Sequence, residues 1–281
     1  MTKQLIKLSD YIFKYLANYG VRHIFMLTGG GAMHLNDSIG KEGRIQYICN
    51  HHEQACAMAA EGYARVSGKL GVVCVTTGPG GTNAITGVLG QWLDSVPALY
   101  LSGQVRYDTT VASTGLPLRQ LGDQEINIVD IVRPITKYAV MVTEPQSIRF
   151  HLEKAIYLAT SGRPGPVWLD IPLNVQAAMI DENSLESYTP KDNDRVEFDH
   201  QSIEKTVAFV LEKIKTSERP VILAGAGIRL GGAYELFQDV IEKLGVPVLT
   251  AWDAIDLMYD DHPLYFGRPS TVGQRGANFI F

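Results

Sequence analysis

A carboxylate preceded by two histidines, in Asn50-His51-His52-Glu53-Gln54-Ala55, stands where the β-rich run 44–50 gives way to a small-residue helix over 53–66. Glu53 therefore falls in or just before the first helical turn. The helix dipole favours a carboxylate there whatever its use, and first-turn Glu is common. Its company sets it apart. Gly29-Gly30-Gly31 follow the apolar run 21–28, and Gly78-Pro79-Gly80-Gly81-Thr82-Asn83 follow the run 70–77. Each turn alone fits plain turn chemistry. In an open parallel α/β sheet, however, ligands bind at the carboxyl ends of strands. Glycine there lets backbone approach a flat ligand. Three such turns at one edge of a sheet, with a carboxylate between them, describe a ligand site. The adjacent histidines point opposite ways on an extended segment, and no third ligand sits at metal spacing, so no metal is assigned. His52 is expected to pack near the pocket.

The elements that must position these residues read as repeated strand–helix alternation. Ser9 is expected to cap a helix carrying Ile12, Phe13 and Leu16 and stopping at Gly20. Strands follow at 21–28, 44–50, 70–77, 97–102, 135–142 and 166–172. Helices are expected at 32–39, 53–66, from Asn83 to about Asp94, at 125–132 and at 145–160, with 78–83 as a turn. The predicted fold class is α/β, a parallel sheet covered by helices on both faces. Residues 104–124 show no period, and loops of that length are often functional. A polar stretch, 181–198, predicts a linker between a first domain, 1–180, and a second, incomplete α/β domain, 199–281. That second unit predicts a helix to about 215, a strand 220–226, a helix 232–244 and a strand 247–252. The run Ala277-Asn278-Phe279-Ile280-Phe281 reads as an apolar strand pattern, so the chain is expected to be the front part of a longer protein.

Apolar residues make up 46% and charged residues 20% of the 281, as in a globular protein with a sizeable core. A net charge of -5 argues against nucleic acid or an anionic membrane as the main partner. No apolar run is long enough to span a bilayer, and the N-terminus has no signal-peptide hydrophobic region. Cys49, Cys56 and Cys74 lie in apolar segments without paired spacing, so all three are expected to be buried thiols in a cytoplasmic protein.

Several of these motifs together carry a family resemblance. They are Thr28-Gly29-Gly30-Gly31 with Asp37; the Asn50-to-Ala55 stretch with Ala60-Glu61-Gly62-Tyr63-Ala64-Arg65; and Thr77-Gly78-Pro79-Gly80-Gly81-Thr82-Asn83. Asp94-Ser95-Val96-Pro97, Ser102-Gly103-Gln104-Val105 and Arg163-Pro164-Gly165-Pro166-Val167 complete the set. The chain resembles the thiamine-diphosphate-dependent enzymes, and among them the acetolactate (acetohydroxyacid) synthase large-subunit group. The resemblance implies a pyrimidine-binding domain over 1–180 and the start of a middle domain from 199. It implies that Glu53 is catalytic, hydrogen-bonding a ring nitrogen of the cofactor's aminopyrimidine and favouring its imino tautomer. The cofactor then deprotonates its own thiazolium carbon, which attacks a 2-keto acid and holds the acyl group for transfer. Gly29, Gly30, Thr76, Pro79 and Asn83 match positions that line the cofactor ring. Asn83 also reads as a helix N-cap. Gln124, or alternatively Gln120, matches the substrate-facing glutamine. The same resemblance implies magnesium and the diphosphate held by a separate C-terminal domain, whose Gly-Asp-Gly this sequence lacks. It implies a homodimer or homotetramer, and it leaves open FAD on the middle domain.

The sequence departs from the group's pattern at Thr28 and Gly31, at Asp123 before the loop glutamine, and at Leu173-Asn174, where a Lys-Asp pair is usual. These departures leave open a related decarboxylase or carboligase with another acceptor. Two other readings stand beside this one. One is a non-catalytic, regulatory interaction domain. The other is a dinucleotide-binding oxidoreductase, for which Gly225-Ala226-Gly227 misses the required spacing by one residue.

Overall fold

A computed structural model describes residues 5–191, 194 and 198–281. Of the predicted linker 181–198, positions 192, 193 and 195–197 lie outside the described residues, as do positions 1–4. The chain divides into two compact units, Met1–Val196 and Glu197–Phe281.

The first unit opens with β1 (Leu5–Lys7), which runs directly into α1 (Leu8–Tyr19). There follow β2 (His23–Met26), α2 (Met33–Glu42), β3 (Gln46–Cys49), α3 (Glu53–Ser67) and β4 (Gly71–Val75). Next come α4 (Pro79–Asn83), α5 (Ile85–Leu93), β5 (Ala98–Gln104), α6 (Val111–Thr114) and α7 (Ile128–Val132). The unit closes with β6 (Tyr138–Met141), α8 (Ile148–Thr160), β7 (Pro166–Pro172), α9 (Leu173–Gln176) and β8 (Met179–Asp181). Six strands form one parallel sheet in the order β3-β2-β4-β5-β7-β6. This is the predicted α/β class.

Every residue of β4, β5 and β7 is buried, because both faces of these central strands are covered. Alternate residues serve opposite faces. Leu99, Leu101, Leu169 and Ile171 join α1, α2 and α8 in one core. Tyr100 and Trp168 join α3, α5 and α7 in the other, with their rings stacked 4.8 Å apart. The small residues of α3 have a packing reason. A Cβ on Gly87 would sit 2.4 Å from that of Ala57, and one on Gly71 would sit 2.6 Å from the Ala60 carbonyl oxygen. Helix α3 thus lies against α5 and the sheet with no room for a larger side chain. A Cβ on Gly103 of β5 would meet backbone outright, standing 2.1 Å from the Gly31 carbonyl oxygen.

The second unit contains α10 (His200–Thr216), β9 (Ile222–Ala224), α11 (Gly227–Leu230), α12 (Tyr234–Leu244), β10 (Val248–Thr250) and α13 (Arg275–Ile280). Strands β9 and β10 pair in parallel over a small core of Ala224, Ile241, Val248, Ala254, Leu257 and Met258. No residue of α10 is buried. Among the described residues, no helix is long and apolar enough to cross a membrane.

Several expectations need correction. Ser9 does not cap α1: Lys7 occupies the cap position, because β1 leads straight into the helix, and Ser9 lies buried within it, accepting from the Ser38 hydroxyl at 2.9 Å. Gly20 does end that helix in the left-handed region, at φ 108°. Cys49 is exposed, since β3 is an edge strand; Cys56 and Cys74 are buried. Residues 79–83 are a helical turn opened by Pro79 and not an irregular turn. The apolar run 277–281 is mostly helical, the ambiguity inherent in short apolar runs. Strand β8 pairs antiparallel with β1, so residue 181 still belongs to the first unit, and Leu185 is buried in its core.

The Gly103 contact is testable. Gly103→Ala must push backbone off backbone and is expected to cost about 2 kcal/mol or more in urea unfolding of the chain. Gly62→Ala, on α3 with nothing within 4 Å of the new Cβ, is expected to gain about 0.5–1 kcal/mol.

Candidate active site

The carboxyl ends of β2, β3 and β4 bring the three predicted turns together. Glu53 is the first residue of α3 and is only 8% exposed. His52 holds extended backbone (φ -157°, ψ 141°) and caps the helix, its Nδ1 accepting the Gln54 N–H at 3.1 Å. It is exposed and serves the helix end; the expectation that it packs near the pocket is corrected accordingly. Asn83 donates from Nδ2 to Glu53 Oε2 at 3.0 Å. It ends α4 and makes no capping bond to α5, so its helix-cap reading falls. Glu53 Oε1 lies 3.7 Å from where a Cβ on Gly80 would stand.

Thr76 joins the first and third turns. Its Oγ1 accepts the Gly31 N–H at 3.0 Å. Its side chain lies 2.5 Å from the place of a Cβ on Gly29 and 2.7 Å from that of one on Gly80. Gly29 and Gly80 are therefore required by Thr76. Gly30 differs: a Cβ there meets nothing within 4 Å, so its backbone faces open space. Pro79 is exposed at the start of α4. Gly78 has φ 56°, a left-handed value, and a Cβ on it would lie 2.2 Å from the Gln124 carbonyl oxygen.

That contact brings Gln124 to the third turn. Gln124 itself takes a left-handed φ of 56°, a conformation uncommon for a non-glycine residue. Gln120 is not brought there: its amide donates to the Gly122 carbonyl at 2.8 Å within the loop. Both glutamine side chains are exposed.

Two polar groups at this edge escaped the sequence reading. Glu125 accepts three backbone N–H groups: Val111 at 2.6 Å on Oε1, Leu121 at 3.1 Å and Gly122 at 3.0 Å on Oε2. One carboxylate thus folds the unpatterned loop back on itself. The second is Asp170 with Ser102, Gln104 and Thr77, all buried. The available signal was an Asp inside the apolar run 166–172, since a buried carboxylate must find donors. Among the described residues, no group of three or more His, Cys, Asp or Glu side chains is arranged to hold a metal ion.

Comparison with known proteins extends this geometry. Residues 6–131 match the thiamine pyrophosphate enzyme, N-terminal TPP binding domain. Residues 207–281 match the central domain of the same enzymes. The chain belongs to the thiamine pyrophosphate enzymes. The chain is 36% identical over 270 residues to the acetolactate synthase large subunit of Lactococcus lactis, covering 96% of this chain and 45% of that protein. It is 35% identical over 286 residues to the probable acetolactate synthase large subunit of Methanocaldococcus jannaschii, covering 98% and 45%. Against acetolactate synthase isozyme 3 large subunit of Escherichia coli the identity is 31%, covering 98% and 46%. The chain thus spans less than half the length of the curated relatives it matches. At the site edge of this chain, backbone approaches backbone closely, with the Thr76 side chain between Gly29 and Gly80 and that of Thr77 against Gly31.

Thr76→Val keeps the volume and leaves the Gly31 N–H without its acceptor. It is expected to lower stability by about 1 kcal/mol in urea unfolding, whereas a change within error would mean that water replaces the hydroxyl.

Proposed function

We propose that this chain is the cofactor-activating portion of a thiamine-diphosphate enzyme of the acetolactate synthase type. Its substrate is a 2-keto acid, which loses carbon dioxide and passes its acyl group to an acceptor. The observation that carries the reading is the placement of Glu53: buried, with one carboxylate oxygen held by Asn83 and the other near Gly80, between two glycine turns.

The residues present fit an aminopyrimidine ring. Gly30 leaves open space beside its backbone, where a flat ring has access. Among the described residues, no hydrogen bond reaches Glu53 Oε1, so that oxygen is free for a ring nitrogen. When bound, the cofactor supplies a thiazolium carbon that becomes a nucleophile and an electron sink. The task of Glu53 is to hold a proton shared with the ring nitrogen. Asn83 keeps the carboxylate aimed, because a donor on Oε2 leaves Oε1 as the proton-sharing atom. Thr76 keeps the two turns at fixed separation. Gln124, carried beside Gly78, is assigned to the substrate side.

Magnesium is assigned to no residue of this chain and would be held elsewhere in the whole protein. FAD is compatible with the Gly225-Ala226-Gly227 turn, where a Cβ on either glycine meets nothing within 4 Å. A homodimer or homotetramer in the cytoplasm is the proposed state. Exposed Met58, Val66, Leu89, Trp92 and Leu93 on α3 and α5 support association.

The test is Glu53→Gln in the full-length protein. Glutamine can still accept from Asn83 but cannot share a proton. Exchange of the thiazolium proton for deuterium, followed by NMR with bound cofactor, is expected to slow by about 10²-fold or more. Exchange at the wild-type rate would end the assignment.

A further inference from the structure

Beside the site lies a chain of buried polar groups that the proposed function does not use. Asp170, near the carboxyl end of β7, is fully buried. Its Oδ1 accepts from Ser102 Oγ at 2.5 Å and its Oδ2 from Gln104 Nε2 at 3.0 Å. Ser102 Oγ in turn accepts from Trp168 Nε1 at 2.7 Å. Gln104 Nε2 also reaches the Ile126 carbonyl at 3.0 Å. Gln104 Oε1 accepts from Thr77 Oγ1 at 2.5 Å and from the Val105 N–H at 3.0 Å. The amide thereby uses both donors and both lone pairs, which is all it has.

Only one orientation of that amide works. Turned over, Oε1 would face the Asp170 carboxylate and the Ile126 carbonyl, and the NH₂ would face the Val105 N–H. The arrangement equally requires an acceptor at Asp170. A carboxyl proton on Oδ2 would meet the Gln104 N–H. One on Oδ1 would displace the Ser102 hydroxyl proton from its acceptor. Among the described residues, no ion pair reaches the carboxylate. Strand β5 presents Ser102 and Gln104, and β6 pairs Met141 with Asp170. The one ionisable side chain of α7, Asp130, is exposed and bound to Arg133.

We propose that Asp170 is a positioning residue: as a carboxylate it locks the Gln104 amide, which ties the third turn, through Thr77, to segment 124–126, through Ile126. The lock is a property of the chain itself. Its purpose, holding Gln124 and Gly78 in register at the site, rests on the function proposed above.

Burial pushes the Asp170 carboxyl up from 3.8 to about 7, against the pull of the Ser102 and Gln104 hydrogen bonds. Between those values the folded chain keeps a proton that the unfolded chain has lost. This group's contribution to stability therefore falls as pH rises through that window, while the lock forms towards its upper end.

The Trp168 indole N–H reports on the lock through Ser102, without cofactor or turnover. The chain has three tryptophans, and Trp92→Phe and Trp252→Phe identify the other two indole signals. In ¹H–¹⁵N spectra of the chain, the Trp168 signal is expected to shift with one inflection at about pH 7, and Asp170→Asn to abolish it. An inflection that survives in Asp170→Asn, or a Trp168 signal that Asp170→Asn leaves where it stands in the wild-type chain at pH 8, overturns the proposal. Should Asp170→Asn not fold, Gln104→Glu places a second acid against Asp170 and is expected to raise the inflection by about one pH unit; an unmoved inflection overturns it. In the full-length protein, Asp170→Asn is expected to lower kcat about tenfold at pH 8 with little change in KM, and wild-type kcat would overturn the positioning role. Thiazolium exchange unaffected in Glu53→Gln, with the indole inflection present, would remove the function and leave the lock standing.

Discussion

Two backbone turns stand close in this domain because threonine side chains, Thr76 above all, fill the gap between them. Thr76 has its methyl and hydroxyl against the positions where Gly29 and Gly80 lack a Cβ, and its oxygen takes the Gly31 N–H. Packed interiors transmit small displacements rather than absorb them, so neither turn moves without the other. Gly31 is fixed from a second side, since Gly103 of β5 touches its carbonyl, and Gln176 donates to that carbonyl at 2.7 Å. The turn after β2 is therefore held by the residue that follows β4, by β5 and by α9. Position at this edge of the sheet comes from backbone in contact with backbone. Few rotatable side chains intervene.

The same edge carries an opposing cost. Strands β5 and β7 are buried throughout, yet they end in Ser102, Gln104 and Asp170. A carboxylate taken out of water costs several kcal/mol unless donors replace its hydration. Two hydrogen bonds meet part of that cost, and the raised carboxyl pKa is the remainder. An apolar residue of similar size would pack there without such a penalty. What the polar chain adds is direction: each donor has one acceptor, and the amide of Gln104 has one allowed face. Apolar packing on both sides of the sheet, from α1, α2 and α8 and from α3, α5 and α7, supplies the stability that lets this edge be polar.

Much of this architecture was legible in the sequence because it is local. Uninterrupted apolar runs such as 70–77 and 166–172 announce buried parallel strands, and glycines after them announce turns. Glu53 was found because it lies in the same few residues as a strand end and a helix start. Failures came where distant segments decide. Ser9 looks like a cap until β1 is seen to feed α1, and β1 exists only because residues 179–181 pair with it across the whole unit. Cys49 looks buried until β3 proves to be an edge strand. Ser102 and Asp170 stand opposite each other only through the register of β5 on β7, which no periodicity records. Glu125 gathers N–H groups from 111, 121 and 122, a loop closure written in no local pattern.

The site has a rigid floor and an open front, and the two are built differently. Glu53 and the glycine backbones form the floor, fixed by contacts that allow no tolerance. Pro79, Asn83 and Gln124 are exposed on the front. The loop carrying Gln124 packs closely on Gly78 and is tethered to Glu125 through three N–H groups, to Gln104 through the Ile126 carbonyl, and to α9, where Asn174 Oδ1 accepts the Tyr107 N–H at 2.8 Å. Changing a tether re-aims the loop and leaves the floor where it is. Asp123 sits in that loop, and Leu173-Asn174 open α9 at that tether. A proton-sharing step needs a fixed carboxylate, while choice among acceptors needs a surface that varies. Under the proposed function, the backbone-built floor serves the first demand and the tethered loop the second.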